Sequence, residues 1–494
     1  MPTTPSKPQP AVRVDRRSFF DQVSGGICGA ALMSLLGDDL YGDEAHQTEV
    51  DASQPRRIYN LQPRRPHFQP RAKAVIHLFM NGGPSQMDLF DPKPELNKRH
   101  GQPYFDEIAG EVENPGEAGA VMRSPFKFQQ HGECGMWASE LMPHLAECVD
   151  DITLIRSMFT VNITHEPSIY MIQSGRMLPG LPTIGAWTTY GLGSENQNLP
   201  AYVVLDDPKG LPVNGTQNWQ AGFLPPNYQG TRFRSSGSPV LNLKPEFDQP
   251  KLITELQRDL LSRLDNIHRN RHRRQPRLDA RIASYELAAN MQMSASDALD
   301  LKQETPATLA MYGIGESTTD SYGRRCLMAR RLIERGVRFV QLYIDGQIWD
   351  NHSKIATALR GACDRTDRPI AGLLQDLKQR GLLTGTLVLW GGEFGRLPLA
   401  QLQNGDEKNA GRDHNKRAMC TWMAGGGVKG GFTYGATDDL GFAAVENPVS
   451  VNDWHATILH LLGIDHERLF FRRNGLDEKL TGVEESHVIS DILA

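Results

Sequence analysis

Short apolar runs recur along this chain of 494 residues, and longer stretches with helical periodicity separate them. The runs predict strands, which fall at residues 74–80, 152–155, 201–205, 337–344, 384–390 and 419–423. The helical patterns fall at residues 251–267, 277–293, 322–335 and 354–380. Strands that alternate with helices are typical of a mostly parallel sheet with helices on both faces. We therefore expect an α/β fold.

Composition narrows the class of protein. Hydrophobic residues make up 39% and charged residues 22% of the chain, and the net charge is −5. This is a soluble globular composition without the basic surface that nucleic-acid binding requires. No run of 18 apolar residues occurs, so we expect no stable membrane span. The cysteines form no CxxC pair, which leaves a structural zinc site or redox motif unsupported, although one Cys134–Cys148 disulfide is possible.

The N-terminus has the layout of a secretion signal. The paired arginines Arg16 and Arg17 precede two aromatic residues and a weakly apolar run rich in Gly and Ala. This order predicts a signal region over residues 1–43 that is recognised by the twin-arginine export machinery. The protein would then be periplasmic or extracellular.

The rest of the chain divides into a linker and one large domain. Residues 44–73 are polar and contain several prolines, which is typical of a linker. Residues 74–494 carry all the predicted strands and form the α/β domain. Within it, residues 206–250 are rich in Gly, Pro, Asn and Ser and predict a long loop excursion from the sheet.

Carboxylates and imidazoles stand beside several predicted strands, at positions far apart in sequence. In open α/β sheets, ligands bind beyond the carboxyl ends of the strands. Carboxylate oxygens and imidazole nitrogens are the donors that divalent metals take, whether zinc, calcium, magnesium or manganese. For each residue alone, a helix cap or turn former is an equally good interpretation. As a set they favour a metal site assembled from five residues: Asp88, Asp350, His352, Glu393 and His414.

Several segments together resemble one protein family. They include AKAVIHLFMNGGPSQMDLF at residues 72–90, WDNH at 349–352, LVLWGGEFGR at 387–396 and GRDHN at 411–415. From about Pro66 onward the chain resembles the domain-of-unknown-function 1501 family, exported proteins frequent in planctomycete bacteria. That family is grouped with the alkaline phosphatase superfamily, which includes the sulfatases. The resemblance implies a doubly wound sheet and a metal-dependent hydrolase of phosphate or sulfate esters.

The resemblance carries over to individual residues in part. The superfamily's ligand after the first strand corresponds to Asn81, with Asp88 a few residues later. Its Asp-His pair after a later strand corresponds to Glu393-Phe394, so one ligand of that pair survives. Asp350 and His352 resemble another Asp and His from one loop, and His414 resembles a final His.

The nucleophile departs furthest from the sulfatase pattern. His165 stands where sulfatases carry Cys or Ser, so a formylglycine nucleophile is not supported. Thr164 or Ser168 activated by metal, His165 as ligand or nucleophile, and a metal-activated water remain open. Arg176 or Arg396 would bind the anionic group of the substrate, unless each belongs to an ordinary ion pair.

We therefore expect a metal-dependent hydrolase that acts on a sulfate or phosphate ester outside the cytoplasm. The substrate would be a small molecule or a polysaccharide carrying the anionic ester. The altered nucleophile and ligand positions leave a second interpretation open, a non-catalytic binding protein that retains the fold with a degenerate active site.

Overall fold

The computed structural model describes residues 60–234, 250–271 and 276–494. At the centre of these residues lies a nine-stranded sheet. Its strands, numbered in chain order, are β1 (Ala74–Phe79), β2 (Ile152–Phe159), β3 (Tyr202–Leu205), β4 (Thr231–Phe233), β5 (Phe339–Leu342), β6 (Thr386–Gly391), β7 (Met419–Ala424), β8 (Phe432–Tyr434) and β9 (Val449–Ser450). Across the sheet the order is β8-β2-β7-β6-β1-β5-β3-β4, and β9 pairs with β2.

All the strands but one run in the same direction. The central strand β1 is parallel to both neighbours, with Ile76 opposite Val340 of β5 and Val388 of β6. Strand β7 is antiparallel to both β6 and β2. The start of β7 therefore lies at the same edge as the carboxyl ends of the other strands. The strands that end near Met80, Ile344 and Trp390 therefore lie side by side, with β1 in the middle.

The central strands are completely buried. Every residue of β1, β5, β6 and β7 is buried, which requires cover on both faces of the sheet. The helices, again in chain order, are α1 (Gln86–Leu89), α2 (Pro94–Lys98), α3 (Phe105–Ile108), α4 (His165–Ser174), α5 (Ile184–Leu192), α6 (Lys251–Arg271), α7 (Pro276–Leu299), α8 (Pro306–Met311), α9 (Asp320–Glu334), α10 (Ile355–Gln379) and α11 (Val451–Leu461).

A buried polar contact connects the sheet to helix α4. Gln341 of β5 donates from Nε2 to Oε1 of Gln173 in α4 over 2.8 Å and to Nδ1 of His77 in β1 over 3.2 Å. All three side chains are buried. Since buried polar groups are costly unless hydrogen-bonded, this chain of amides and imidazole fixes α4 against the sheet.

Short two-stranded sheets lie outside the nine-stranded sheet. One of them pairs Gly395–Arg396 with His414–Asn415 and thereby joins the end of β6 to the start of β7. The others pair Ala118–Val121 with Leu399–Gln401, Phe128–His131 with Met136–Ser139, Ala436–Thr437 with Ala444–Glu446, and Phe471–Arg473 with Leu476–Glu478.

The chain forms two compact units. The sheet belongs to the unit of residues 60–240 and 294–494. In this unit Cys134 and Cys148 are free thiols and do not form the disulfide that the sequence left possible. The described residues of the other unit are 250–271 and 276–293. Its described part is α6 and most of α7, joined by a hydrogen bond of 2.7 Å from Arg258 to the carbonyl of Ala289.

Some sequence predictions fall on parts of the chain that are not described. The signal region and the first part of the proline-rich linker, residues 1–59, lie outside the described residues, as does the end of the excursion at residues 235–249. Within the described ranges, no helix has both the length and the apolar character needed to span a membrane.

Candidate metal centre

Loops from four strands meet at the carboxyl edge of the sheet. His165 opens α4 after β2, Asp350 and His352 follow β5, Glu393 follows β6, and His414 precedes the antiparallel β7. Four of these residues, His165, Asp350, His352 and His414, offer ligand atoms that all lie within 4.8 Å of one another. The reversed direction of β7 is what lets a residue before a strand join residues that follow strands.

Asp350 stands at the centre of the cluster. Its Oδ1 lies 2.9 Å from Nε2 of His352 and 3.1 Å from Nε2 of His414, and its Oδ2 lies 3.4 Å from Nε2 of His165. Three imidazoles thus turn the same nitrogen toward one carboxylate. Nε2 of His165 is buried and makes no hydrogen bond.

The other nitrogen of each imidazole faces an acceptor. Nδ1 of His165 donates to Oε1 of Glu393 over 2.7 Å, and Nδ1 of His414 lies 2.5 Å from Oε2 of Glu113. Nδ1 of His352 donates to Oε1 of Gln401 over 2.5 Å. These contacts place the proton of each neutral ring on Nδ1 and leave the lone pair of Nε2 directed at the shared centre.

Gln401 is oriented by a further contact. Its Nε2 donates to Oε2 of Glu117 over 2.8 Å, so its carbonyl oxygen must face His352. Neither Glu113, Glu117 nor Gln401 was expected from the sequence. Glu113 and Glu117 fall in a segment without strand or helix periodicity, and no local pattern marks them as partners of distant histidines.

Glu393 is a buried support rather than a member of the central group. Its carboxylate accepts the backbone N–H of Gly82 at 2.9 and 3.1 Å in addition to the His165 proton. Gly82 has a φ of +115°, and a Cβ there would lie 2.6 Å from the backbone nitrogen of Asp350. Glycine is therefore required at this position for the Asp350 loop to approach β1.

Phe394 occupies the place of the second residue in the superfamily's Asp-His pair. Its ring centroid lies 4.8 Å from that of His165 and 4.3 Å from that of His414. The two imidazoles also contact each other, with 4.5 Å between their centroids, so the three rings pack as a triangle and an apolar ring stands where the resemblance places a ligand.

Arg396 is buried and committed to internal contacts. Nη2 donates to Oδ1 of Asp350 at 2.6 Å and to the carbonyl of Gly82, Nε donates to the carbonyl of Gly83 at 2.9 Å, and Nη1 donates to the carbonyl of Arg412 at 3.0 Å. With these donors used, the side chain acts as a clamp that joins the loops after β1, β5 and β6. Arg176 lies at the far end of α4 and pairs with Glu478 at 3.1 Å.

Asp88 faces away from the four-residue group. Its carboxylate forms a fully buried ion pair with Arg412, with Oδ2 2.7 Å from Nε, and also accepts from Oγ of Ser85 at 2.5 Å. The buried guanidinium of Arg412 also donates to the carbonyl of Met122. The pair anchors the loop that leads into His414.

The two hydroxyls near His165 have different surroundings. Ser168 is fully buried, and its Oγ donates to the carbonyl of Asn162 over 2.8 Å. Thr164 precedes α4, is exposed, and makes no capping hydrogen bond with its side chain. Of the two, Thr164 is therefore the one whose hydroxyl is placed in solvent beside the cluster.

The close contacts shift several pKa values. Burial alone would raise the pKa of Asp350, but its close contacts with the three imidazoles and the charge of Arg396 hold it well below its usual range. Burial lowers the pKa of His165, yet Asp350 and Glu393 outweigh that effect and raise it to about 9. Burial is likewise outweighed at His352, whose pKa is raised mainly by Asp350. The contact with His414 lowers the pKa of Glu113.

The residues present fit a divalent metal ion. Four donor atoms converge, one of them a buried imidazole nitrogen without a hydrogen bond, and each histidine is held through its second nitrogen, as metal-binding histidines are. A second group, Glu113, Asp413 and His414, also has ligand atoms within 4.8 Å of one another, but it uses the outer side of His414.

Fold and cluster together define an α/β protein with a candidate metal centre at the carboxyl edge of its sheet. Residues 72–493 match the family described as protein of unknown function DUF1501, and the chain belongs to that family. No curated protein matches the chain in sequence.

Several solved structures are similar to this one at low sequence identity. The lipoteichoic acid synthase LtaP from Listeria monocytogenes is 10% identical, with a TM-score of 0.35, over 84% of this chain and 76% of its own. The PsFucS1 sulfatase from Pseudoalteromonas sp. is 12% identical, with a TM-score of 0.35, over 80% and 69%. The alkaline phosphatase from the Antarctic bacterium TAB5 is 12% identical, with a TM-score of 0.33, over 80% and 98%.

Proposed function

We propose that this protein is a metal-dependent hydrolase of sulfate or phosphate esters, with His165, Asp350, His352 and His414 as the metal ligands. The observation that carries the proposal is the shared orientation of the three imidazoles, each held at Nδ1 and each directing Nε2 to Asp350. A helix-cap or turn-forming role for these residues would not require three rings from separate loops to present the same nitrogen to one point.

The donor set favours a transition metal. Three imidazoles and one carboxylate suit zinc, whereas calcium and magnesium prefer sites made of oxygen ligands. Such an ion, when bound, polarises an ester oxygen and lowers the pKa of an attacking group. Glu393, Gln401 and Glu113 keep the three rings oriented, and Arg396 holds the Asp350 loop in place.

Two nucleophiles suit the proposed reaction, Thr164 and a solvent water. Ser168 is buried and donates to a backbone carbonyl, which makes it unsuitable. Thr164 is exposed beside His165, and a solvent water is the alternative. His165 itself serves as a ligand in this proposal, since its Nδ1 is engaged by Glu393 and its Nε2 faces Asp350.

One observation favours the rival proposal of a non-catalytic binding protein. Both arginines expected to bind the substrate's anionic group, Arg176 and Arg396, are engaged in contacts within the protein. A binding protein would keep the fold, with or without a metal, and lack turnover.

A single experiment separates the proposals. The protein is purified, loaded with zinc, and assayed for bound metal and for hydrolysis of p-nitrophenyl sulfate, p-nitrophenyl phosphate and bis(p-nitrophenyl) phosphate. We expect bound metal and turnover of at least one ester, both lost in His352→Ala and both retained in His487→Ala, whose exposed side chain lies outside the four-residue group. Metal without turnover, or a correctly folded protein that binds no metal, would refute the hydrolase and favour the binding protein.

We also propose that the protein is exported by the twin-arginine route to the periplasm or beyond. Support comes from Arg16, Arg17 and the Gly- and Ala-rich run behind them. A polysaccharide or small-molecule ester outside the cytoplasm would then be the substrate.

A further inference from the structure

Charge at the candidate metal centre is strongly unbalanced. Four carboxylates contact or surround the three imidazoles: Asp350, Glu393, Glu113 and Asp413. Arg396 is the cation that contacts this group, through Asp350. When a divalent ion has displaced the protons of the imidazoles, four carboxylates against that ion and one guanidinium leave one negative charge.

The neighbouring cations in the described part of the chain are paired elsewhere. Lys416 and Arg417 follow His414 closely, but both pair with Glu111, at 2.9 and 3.5 Å. Arg412 is matched one for one by Asp88. These contacts leave the local excess of negative charge in place.

Glu113 contributes to this excess at the rim of the site. Its side chain is partly exposed, at 29%, whereas Glu393 is fully buried. Asp413 sits behind it, where its Oδ1 accepts the backbone N–H of His414 at 2.8 Å and its Oδ2 accepts that of Asn114 at 2.9 Å. An anion bound at the ligands would therefore lie close to carboxylates on more than one side of His414.

From this charge distribution we infer that the centre selects an ester whose tetrahedral group bears a single negative charge and rejects a dianionic phosphate monoester. This inference rests on the proposed function and specifies its substrate class. Sulfate monoesters and phosphate diesters both carry one charge on a tetrahedral centre. A phosphate monoester adds a second charge, which the carboxylates oppose without a compensating guanidinium, since like charges at close range are costly in a partly buried site.

Two inert probes of matched shape test the selection directly. Benzenesulfonate and phenylphosphonate differ chiefly by one charge at alkaline pH. Calorimetric titration of the zinc-loaded protein should show benzenesulfonate binding about tenfold more tightly or better, which corresponds to about 1.4 kcal/mol. Equal or tighter binding of phenylphosphonate would overturn the inference.

A charge variant sharpens the test. Glu113→Gln removes one negative charge and keeps an oxygen that can accept from Nδ1 of His414. We expect Glu113→Gln to reduce the ratio of benzenesulfonate affinity to phenylphosphonate affinity several-fold. The control variant Glu316→Gln, at an exposed side chain that pairs with Arg368, should leave this ratio unchanged. An unchanged preference in Glu113→Gln would count against the proposed origin of the selection.

Metal counting and turnover complete the experiment. One zinc ion per chain is expected, because a second ion would reverse the local charge and overturn the inference. The ratio of turnover on p-nitrophenyl sulfate to that on bis(p-nitrophenyl) phosphate then identifies which monoanion is the substrate. Failure to bind metal at all would refute the proposed function, whereas metal binding with a preference for the dianion would refute this inference alone.

Discussion

His165 and Glu393 are 228 residues apart in sequence and 2.7 Å apart in space, joined by a hydrogen bond from Nδ1 to a carboxylate oxygen. The carboxylate is fully buried and also receives the N–H of Gly82. One residue therefore fixes both the orientation of an imidazole and the turn that ends the central strand.

Glu393→Gln should weaken metal binding and preserve the fold. The amide keeps one oxygen that accepts from Nδ1 of His165. It lacks the negative charge that makes Nε2 of the same ring a stronger electron-pair donor to the metal. Changes to such supporting residues cost roughly 10–100-fold in metal affinity. Calorimetric titration with zinc measures this, with circular dichroism as the check on folding. Affinity equal to that of the unaltered protein would mean that His165 is not a ligand.

His352→Ala and His414→Ala test whether two loops serve one ion. Each should lose at least about 10–100-fold in zinc affinity, and any esterase activity with it, because a lost ligand costs no less than a lost supporting residue. The double variant should be little worse in activity than either single one, since both changes disable the same centre. Two independent turn-forming histidines would instead give additive losses of melting temperature with unchanged metal content.

Zinc affinity should rise steeply between about pH 6.5 and 9. The pKa of His165 in the metal-free protein is raised from 6.5 to about 9, and that of His352 is also raised, so a metal ion must displace protons from both rings below those values. Titrations with zinc across this range, in buffers that do not bind metal, measure the slope. A flat profile would contradict ligation by these rings.

Stability of the metal-free protein should change in the opposite sense. A raised pKa in the folded state means that protonated His165 contributes stability that is fully present below pH 6.5 and is lost as the pH rises through about 9. Denaturant unfolding after chelation should show this decline, and zinc-loaded protein should not follow it. The experiment separates proton binding from metal binding at the same ring.

Asp88→Asn should destabilise the protein without removing the metal. Breaking a fully buried ion pair by changing one partner costs about 3–5 kcal/mol, because Arg412 is left without its counter-charge. Glu95→Gln disrupts an exposed pair with Lys98 and should cost no more than about 1 kcal/mol. Denaturant unfolding and metal analysis of both variants are the measurements. Loss of metal from folded Asp88→Asn would return Asp88 to the ligand set.

Replacing Arg16 and Arg17 together with Lys should retain the protein in the cytoplasm. The twin-arginine machinery reads the arginine pair, and lysine preserves charge without preserving that signal. Fractionation of cells that express the two forms measures the effect. Normal delivery of the lysine form would refute the twin-arginine route.

Sequence periodicity located the principal strands of the sheet because they are buried on both faces and read as continuous apolar runs. The prediction for residues 384–390 corresponds to Thr386–Gly391, and that for 419–423 to Met419–Ala424. The direction of the latter strand was not predictable, since an apolar run looks the same in either direction. The short edge strands at Thr231–Phe233 and Val449–Ser450 are too brief to show a pattern.

For the candidate site, the rule that ligands bind beyond the carboxyl ends of strands predicted four of the residues that the structure brings together: Asp350, His352, Glu393 and His414. It also included Asp88, because a carboxylate near a strand end is equally suited to an ion pair, and the partner Arg412 is 324 residues away. Gln401 and Glu113 could not be found in this way. Their roles depend on distances to histidines in other loops, which no local pattern encodes.

The position of the reversed strand β7 in the chain determines when, during synthesis and folding, the proposed metal site can be completed. The proposed ligands are spread from residue 165 to residue 414, and the last of them lies in the segment just before that strand. No N-terminal fragment emerging from the ribosome can therefore hold the full set, however well the earlier strands have paired. Under the proposed assignment, the complete metal site can therefore form only after β7 has joined the sheet.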